Sequence, residues 1–280
     1  MTWTGWDGKV WEFTKPRLGV FLTQKGVEGL GMPPHLAWVG ESPATHGQYY
    51  RGHVVEPRPV FWPVYLYSNA GSDDWLELDS AFWRSLHPGK HGTWSVTTPR
   101  GGTRSLSCRF VDDGQHSFQM DPMFRGWASY GVSLIADNPF WTGEPVRRFW
   151  SDGQESDFFA QRMPLKIVSA SQLASAAMTN EGDIEAWPVW TIKGPLTSVT
   201  VGVDGATVQW NVALTADDIL VIDTDPTVQS AWLNGVDVTE QLGAANFAPI
   251  PPGEELPLSL TMAGTGSVEA TITPRYYKAW

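Results

Sequence analysis

Short runs of alternating apolar and polar residues, separated by glycine, proline and asparagine, cover most of the 280-residue chain. A period of two is typical of strands that bury one face, whereas a helix requires a period near 3.6. In the second half these runs follow one another with no helical pattern between them, which predicts a β-sandwich. The runs are "AWPVWTIKG", "SVTVGV", "TVQWNVAL", "DDILVIDT", "VQSAWLNGVDV", "LPLSLTMAG" and "SVEATITPRYY".

Turn-forming residues lie between these runs and support the same interpretation. Asn-Gly is a strong signal for a two-residue hairpin turn, and Gly or Pro ends a strand in most other cases. The predicted turns are at Gly194-Pro195, Asp204-Gly205, Asp225-Pro226, Asn234-Gly235 and Gly264-Thr265-Gly266.

One segment, "SDDWLELDSAFWRSLHPG", has a helical period and predicts a helix near residues 73–86. Ser72 or Asp73 is the predicted N-cap, and acidic residues in the first turn suit the helix dipole. Pro88-Gly89 ends the pattern. The apolar residues of this segment share one face: Trp75, Leu78, Phe82 and Leu86.

The other segments of the first half predict strands. "GQYYRGHVVEPRPVFWPVYLYSN" indicates one or two strands, and Pro57, Pro59 and Pro63 are expected to confine them to an edge or to irregular extended structure. "GTWSVTTPRGGTRSLSCRFV" predicts a hairpin with strands at 94–98 and 103–111, and "FRGWASYGVSLIADNPFW" a further strand. The expected class is therefore all-β with one helix in the first domain.

The length favours two domains. We expect the boundary in the polar stretch "RRFWSDGQESDFFAQRMPL", which gives domains of residues 1–160 and 161–280. All six histidines and the single cysteine, Cys108, precede residue 117. Residues 161–280 hold 13 of the 30 acidic residues and only 5 of the 19 basic ones.

The composition argues against several function classes. A net charge of −11 disfavours binding to nucleic acid or to an anionic membrane surface. One cysteine permits no intrachain disulfide and no thiolate cluster. The start, "MTWTGWDGKVWEF", does not resemble a signal peptide, and no apolar run is long enough to span a bilayer, so a soluble protein made in a cytoplasm is expected. Most of the 16 tryptophans are expected in the core.

The pair Asp223 and Asp225 is the first candidate for a chemical site. An EF-hand would need further aspartates at alternating positions, a glycine and a distal glutamate, and none of these follows. Aspartate also bonds nearby backbone amides, and Pro226 cannot continue a strand. The pair is therefore predicted to form a turn.

Two further groups contain residue types that are found in metal or hydrolase sites. His87 and His91 in "HPGKH" have the spacing of zinc ligands, but Pro88-Gly89 prevents a helix there, and loop histidines are expected instead. Asp73, Asp74, Glu77 and Asp79 could supply paired carboxylates, yet their place in the first turn of a helix favours a solvated face. No nucleophile elbow, Walker loop or dinucleotide fingerprint occurs, and a Ser-His-Asp triad assembled in space stays open. No catalytic, cofactor-binding or metal-binding residue is predicted.

The order of several segments resembles the distal tail protein (Dit) family of long-tailed, non-contractile bacteriophages, particularly those of actinobacteria. The likeness runs from about Arg51 to Trp280. Its segments are "RGHVVEPRPVFWPVYLYS", "DDWLELDSAFWRSLHPGKHGTWSVTTPRGGTRSLSCRFV", "GVSLIADNPFWTG", "NEGDIEAWPVWTIKGPLTSVTV", "ILVIDTDPTVQSAWLNGVDVT" and "NFAPIPPGEELPLSLTMAGTGSVEATITPRYYKAW".

The resemblance implies a structural virion protein at the distal end of the tail. Such proteins form a hexameric ring that joins the tail tube to the tail-tip hub or baseplate and surrounds a channel for DNA and the tape measure protein. It implies a ring-forming first domain, of β-sandwich or split-barrel type, and a galectin-like or carbohydrate-binding-module-like second sandwich. It implies no enzyme activity and no cofactor.

Two alternatives remain open at this stage. A tail-tip protein with a tryptophan-rich sandwich could bind a host cell-wall glycan by stacking sugars on exposed rings. Trp187 and Trp190 are expected on opposite faces of their strand, and the strands of Trp210 and Trp232 have an alternation that fits burial, so no sugar platform is predicted. A hydrolase on a β-sandwich has the least support.

Overall fold

The computed structural model describes residues 1–23, 26–44, 46–100, 102–113, 121–151 and 176–280. They form two compact units, one of Met1–Thr142 with Tyr276–Trp280 and one of Gly143–Arg275. The boundary expected between residues 160 and 161 lies outside the described residues. The units divide at Thr142, and the last five residues belong to the first unit. Strands predominate in both, which confirms the all-β class.

The first unit contains a path of seven strands in the order β2-β1-β7-β8-β9-β6-β3 within its described residues. The Leu22 N–H donates to the Phe13 carbonyl, so the two ends of this path approach each other and the sheet nearly closes. The strands are β1 (Thr2–Thr4), β2 (Val10–Glu12), β3 (Val20–Leu22), β4 (His35–Glu41), β5 (Gln48–Val55), β6 (Arg58–Tyr67), β7 (Gly92–Thr97), β8 (Thr103–Asp112), β9 (Trp127–Ala136) and β10 (Trp141–Thr142). The helices are α1 (Ser72–Arg84), α2 (Pro122–Arg125) and a 3-10 turn at Pro16–Leu18.

Aromatic rings fill the core of this unit. The Trp62 ring on β6 meets Trp3, Phe13 and Trp94 edge to face, with centroids 5.1, 5.1 and 5.3 Å away. Each ring belongs to a strand or strand end that alternates strictly between buried and accessible positions. The predicted β7–β8 hairpin is present and supplies Trp94 to this cluster.

The prolines of β6 lie inside the sheet, and the expectation that they confine this segment to an edge or to irregular structure is wrong. β6 pairs with β9 along its length and with β3 near one end. The Pro63 carbonyl accepts a hydrogen bond from the Thr23 N–H, on the side away from β9. Since the nitrogen and carbonyl of one residue share a side in an antiparallel strand, the nitrogens of Pro59 and Pro63 also face away from β9. The ladder to β9 therefore loses no donor at either proline.

Helix α1 confirms the predicted helix, and its apolar face packs into the core as expected. The predicted cap is wrong. The N-cap residue is Gly71, which has no side chain to cap the helix, and the Ser72 Oγ donates to the Met123 carbonyl at 2.6 Å. The hydroxyl of Ser72 is turned toward a carbonyl 51 residues away in the chain, and the sequence around Ser72 gives no sign of that partner.

A second helix, α2, is present where the sequence analysis predicted one helix only. It has four residues, and the Asp121 side chain caps it by accepting a hydrogen bond from the Met123 N–H. Pro122 is its first residue, and Gly126 ends it in the left-handed conformation with φ of 69°. These are ordinary start and stop signals. One turn is too short to show a hydrophobic period, which is why the helix was missed.

The last residues of the chain pack onto the first unit. Ala279 is buried, and its N–H donates to the Leu30 carbonyl at 3.0 Å. The Arg104 guanidinium lies 3.5 Å from the centre of the Tyr276 ring and donates to the Lys278 carbonyl. The chain terminus is therefore a structural part of this unit.

The second unit is a sandwich of two antiparallel sheets within its described residues, in the orders β11-β20-β13-β16-β17-β18 and β12-β19-β14-β15. One cluster of buried side chains from both sheets fills the space between them. Each of the seven predicted runs contains a strand. The strands are β11 (Val146–Ser151), β12 (Ala177–Thr179), β13 (Val189–Lys193), β14 (Leu196–Val203), β15 (Ala206–Trp210), β16 (Ile219–Asp223), β17 (Ser230–Leu233), β18 (Val236–Asp237), β19 (Glu255–Gly264) and β20 (Ser267–Ile272), with a 3-10 turn at Thr239–Gln241. The last strand, β21 (Arg275–Tyr276), pairs with β10.

Burial agrees with the expectation for the tryptophans. Most of them, nine of the sixteen, are buried: Trp3, Trp11, Trp62, Trp75, Trp94, Trp141, Trp150, Trp190 and Trp210. Neither α1 nor α2 has the length and hydropathy of a membrane-crossing helix, and the same holds for every helix in the described ranges.

Candidate interaction surfaces

β4 and β5 form a two-stranded antiparallel sheet that pairs with no other described strand. We call these two strands the arm. The side chains of an isolated hairpin have little to pack against, and such a hairpin is at best marginally stable alone. The arm nevertheless carries large apolar side chains that are all exposed: Leu36, Trp38, Val39, Tyr49, Tyr50 and Val54.

Both faces of the arm are apolar. Leu36 pairs with Val54 and shares its face with Trp38, whose side chain is 50% exposed. Val39 pairs with Tyr50 on the opposite face. A strand with one buried face would alternate apolar and polar residues, so this pattern suits a hairpin that is covered on both sides in an assembly. The arm is the candidate site for a protein partner.

The sequence pattern alone does not predict the arm as a separate hairpin. A signal was present, because "HLAWVGE" and "QYYRGHVV" are β-rich runs separated by a short segment containing glycine, proline and serine. The prediction of one or two strands over "GQYYRGHVVEPRPVFWPVYLYSN" joins the second run to the strand that follows it. Nothing in either run reveals that its apolar side chains are exposed in the folded chain.

Asp223 and Asp225 form the turn that was predicted for them. The Asp223 carboxylate accepts a hydrogen bond from the Asp225 N–H at 3.0 Å, and the Asp225 carboxylate accepts from the Thr227 N–H and hydroxyl at 2.9 and 2.7 Å. The Thr224 hydroxyl donates to the Pro188 carbonyl at 2.6 Å. The side chains therefore bond the local backbone, as in an Asx-turn.

Substituting Asp225→Ala is expected to lower the free energy of unfolding by roughly 1 kcal/mol, because Thr227 loses the acceptor for both its N–H and its hydroxyl. Urea unfolding of wild type and variant measures this cost. Calcium at millimolar concentration should leave the midpoint of both proteins unchanged. A calcium-dependent rise that only wild type shows would mean that the carboxylates bind the ion.

The two loop histidines do not form a shared site. The His87 Nδ1 accepts a hydrogen bond from the Gly89 N–H at 2.9 Å, whereas the His91 Nε2 lies 3.0 Å from a carboxylate oxygen of Asp137. Arg109 donates two hydrogen bonds to Asp137 and, together with His91, lowers the pKa of that carboxyl. In the described part of the chain, no three His, Cys, Asp or Glu side chains are grouped as metal ligands.

The four carboxylates of α1 have separate surroundings. Asp73, Asp74 and Glu77 are exposed on the helix surface. The Asp79 carboxylate accepts a hydrogen bond from the Tyr130 hydroxyl at 2.6 Å, and burial together with this bond raises the pKa of the tyrosine. Asp79 thus links α1 to β9 in the first unit.

The tryptophans of the second unit differ from expectation at one position. Trp190 and Trp210 are buried, as the alternation predicts, and Trp187 is half-buried. Trp232 is 43% exposed, so the expectation of burial is wrong there. Its neighbour Ala231 points into the core instead, which turns the larger side chain outward.

The comparisons with known proteins point to phage tails. No family model matches the chain. The minor tail protein Gp27 of Mycobacterium phage L5 is 29% identical over 140 residues, which cover 49% of this chain and 41% of that protein. The chain thus spans less than half the length of this relative.

Solved structures share the fold along nearly the whole chain. The crystal structure of the Dit protein of phage SPP1, described as a hub of the adsorption apparatus in phages that infect Gram-positive bacteria, superposes with a TM-score of 0.67 at 12% identity and covers 98% of both chains. A chain of the phage P2 baseplate in its activated conformation with calcium superposes with a TM-score of 0.58 at 13% identity and covers 98% of this chain and 97% of that one. The chain therefore has the fold of the SPP1 Dit hub protein, and its sequence is similar to that of a phage minor tail protein.

Proposed function

We propose that this chain is a structural protein of a bacteriophage virion that forms a hexameric ring at the distal end of the tail. The ring joins the tail tube to the tail-tip hub or baseplate. The observation that carries the proposal is the arm, a hairpin with exposed apolar residues on both faces, on the fold of a protein described as an adsorption hub. No catalytic role is proposed.

Ring formation would cover the exposed apolar side chains of the arm. A stable protein interface buries about 800 Å² on each partner, and its centre is rich in aromatic residues. Trp38, Tyr49 and Tyr50 supply such residues on a hairpin that no described strand of the same chain covers. If the arm packs on a different patch of the next copy, the contact is head to tail and can close into a ring.

The remaining partners follow from the position in the tail. The ring contacts the tail tube protein on one side and the tail-tip protein on the other, and the tape measure protein and DNA pass through its channel. A net charge of −11 suits a conduit that must not retain phosphate. The second unit provides a further surface for tail proteins.

Substituting Trp38→Ser is expected to weaken ring formation by tenfold or more, since aromatic residues at interface centres commonly contribute about 2 kcal/mol or more. The free energy of unfolding should change by less than about 0.5 kcal/mol, because the Trp38 side chain is exposed. Sedimentation velocity over a range of concentrations measures the first quantity, and thermal unfolding the second.

Trp232→Ser is the matched control for this experiment, since that ring is also exposed but lies in the second unit. It should assemble like wild type. Equal assembly of the Trp38 and Trp232 variants would remove the arm from the ring interface.

A second candidate function, binding of host cell-wall glycan, is favoured by the exposed ring of Trp232. Its indole N–H donates to the Ser230 hydroxyl at 3.1 Å, which holds the ring on the outer face of β17. Saturable binding of the protein to purified cell walls, lost in Trp232→Ser and kept in Trp38→Ser, would support this function. Absence of binding by wild type would rule out glycan binding and leave the structural role as the one proposed function.

A further inference from the structure

The short helix α2 presents an exposed apolar knob, which we define as Met123 and Phe124. Phe124 is 89% exposed, far more than is usual for phenylalanine. The knob is held in place, because the Ser72 hydroxyl donates to the Met123 carbonyl and the Asp121 side chain caps the helix. Gly126 then leads directly into β9. An exposed aromatic ring on a hydrogen-bonded helical turn suits insertion into a complementary pocket.

A shallow groove lies on the same unit, at the other end of β6 and β9. Its volume is about 420 Å³, within the range of roughly 300–1,000 Å³ seen for small binding pockets. The walls are mainly apolar, and one carboxylate lines it as well. The lining includes Glu28, Pro59, Phe61, Val111, Ser133 and Ile135.

The knob cannot reach the groove of its own chain. The knob lies just before Trp127, the first residue of β9. The groove residue Ile135 is the second-to-last residue of the same strand. Eight steps of a strand, at about 3.3 Å each, place them roughly 25 Å apart. An occupant of the groove that resembles the knob must therefore come from a second molecule.

The charges beside the knob and at the groove are of opposite sign. Arg125 is exposed beside the knob, and Glu28 is exposed at the groove. Neither side chain has an ion-pair partner among the described residues. If Phe124 of one copy lies in the groove of another, Arg125 of the first copy comes close to Glu28 of the second. The apolar ring then lies at the centre of the contact.

We propose that the knob of one copy inserts into the groove of the next copy, with Arg125 paired to Glu28 across the interface. This inference rests on the proposed ring function and names one of its interfaces. Because knob and groove are different patches, the contact is head to tail, and successive contacts can close into a ring. The arm makes a separate contact within the same assembly.

The first test is substitution Phe124→Asp in the full chain, followed by sedimentation velocity at increasing concentration. The variant is expected to associate at least about tenfold more weakly than wild type, because an aspartate would be buried in an apolar groove. Val228→Asp, which places the same charge at an exposed valine of the second unit, is the control and should associate like wild type.

The second test exchanges the charges. Glu28→Arg and Arg125→Glu should each weaken association, because each places like charges at the contact. The double variant restores opposite charges and should recover association to within about threefold of wild type. A double variant as weak as the sum of the two single variants would overturn the pairing.

The outcomes separate this inference from the function on which it rests. A wild-type ring that persists in Phe124→Asp overturns the knob and groove and leaves the ring hub intact. Loss of the ring in Phe124→Asp and in each single charge variant, with recovery in the double charge variant, supports both. A wild-type chain that stays monomeric at all concentrations contradicts both self-association and the inference.

Discussion

A chain that ends at Thr265 is expected to lose the fold of its second unit. The deletion removes β20, which lies between β11 and β13 in the larger sheet and pairs with both. Val268 and Ile272 on this strand are buried, and each contributes roughly 1.5–3 kcal/mol by burial. The lost ladders add to this, and the whole stability of a domain is only about 5–15 kcal/mol.

Hydrogen exchange followed by mass spectrometry locates this loss. Amides of β13 and β16 should exchange within seconds in the shortened chain and should be protected in wild type. A chain that lacks only Trp280 is the control, because that side chain is exposed, and its exchange pattern should match wild type. Retained protection of β13 in the chain ending at Thr265 would contradict the assignment of β20 as a central strand.

Substituting Arg58→Met is expected to lower the free energy of unfolding of the first unit by about 3–5 kcal/mol. Arg58 is only 1% exposed, and its guanidinium donates to four backbone carbonyls, those of Gly29, Gly31, Pro139 and Tyr277. Burial lowers the pKa of the guanidinium to about 10, so the group stays charged at neutral pH. Methionine fills part of the space but leaves the carbonyls without their donor.

Two variants give this measurement its controls. Arg104→Met removes a guanidinium that is less buried and donates to a single exposed carbonyl, that of Lys278, and it should cost about 1 kcal/mol. Arg58→Lys keeps the charge but lacks the planar fork, so it should be destabilised almost as strongly as Arg58→Met. Equal costs for Arg58→Met and Arg104→Met in urea unfolding would refute a special role for the buried group.

The sequence predicts the sandwich well because most of its strands bury one face, and the resulting alternation can be read from a few consecutive residues. The residues of "SVEATI" alternate between apolar and polar as their burial does, and the Asn234-Gly235 turn follows from backbone chemistry alone. The exception is Trp232, where a small residue, Ala231, occupies the core position. The sequence gives no sign that Trp232 faces outward, because the larger apolar side chain of the two is the one expected in the core.

Features that depend on distant partners could not be predicted. Arg58 resembles any surface arginine until Gly29, Pro139 and Tyr277 are brought around it by the fold. The prolines of β6 suggest an edge because the sequence does not tell which side of the strand their nitrogens face. The arm and the knob are defined by apolar side chains that are exposed in the described part of the chain, and exposure is a property of the fold and not of any short segment.

The mass of the purified protein in solution, measured by light scattering with negative-stain images of the same fractions, tests the ring most directly. The proposed function predicts a species of about six chains with a central hole. Its population should fall in Trp38→Ser and in Phe124→Asp. A strict monomer up to the highest soluble concentration, or a closed dimer with no larger species, would contradict the ring.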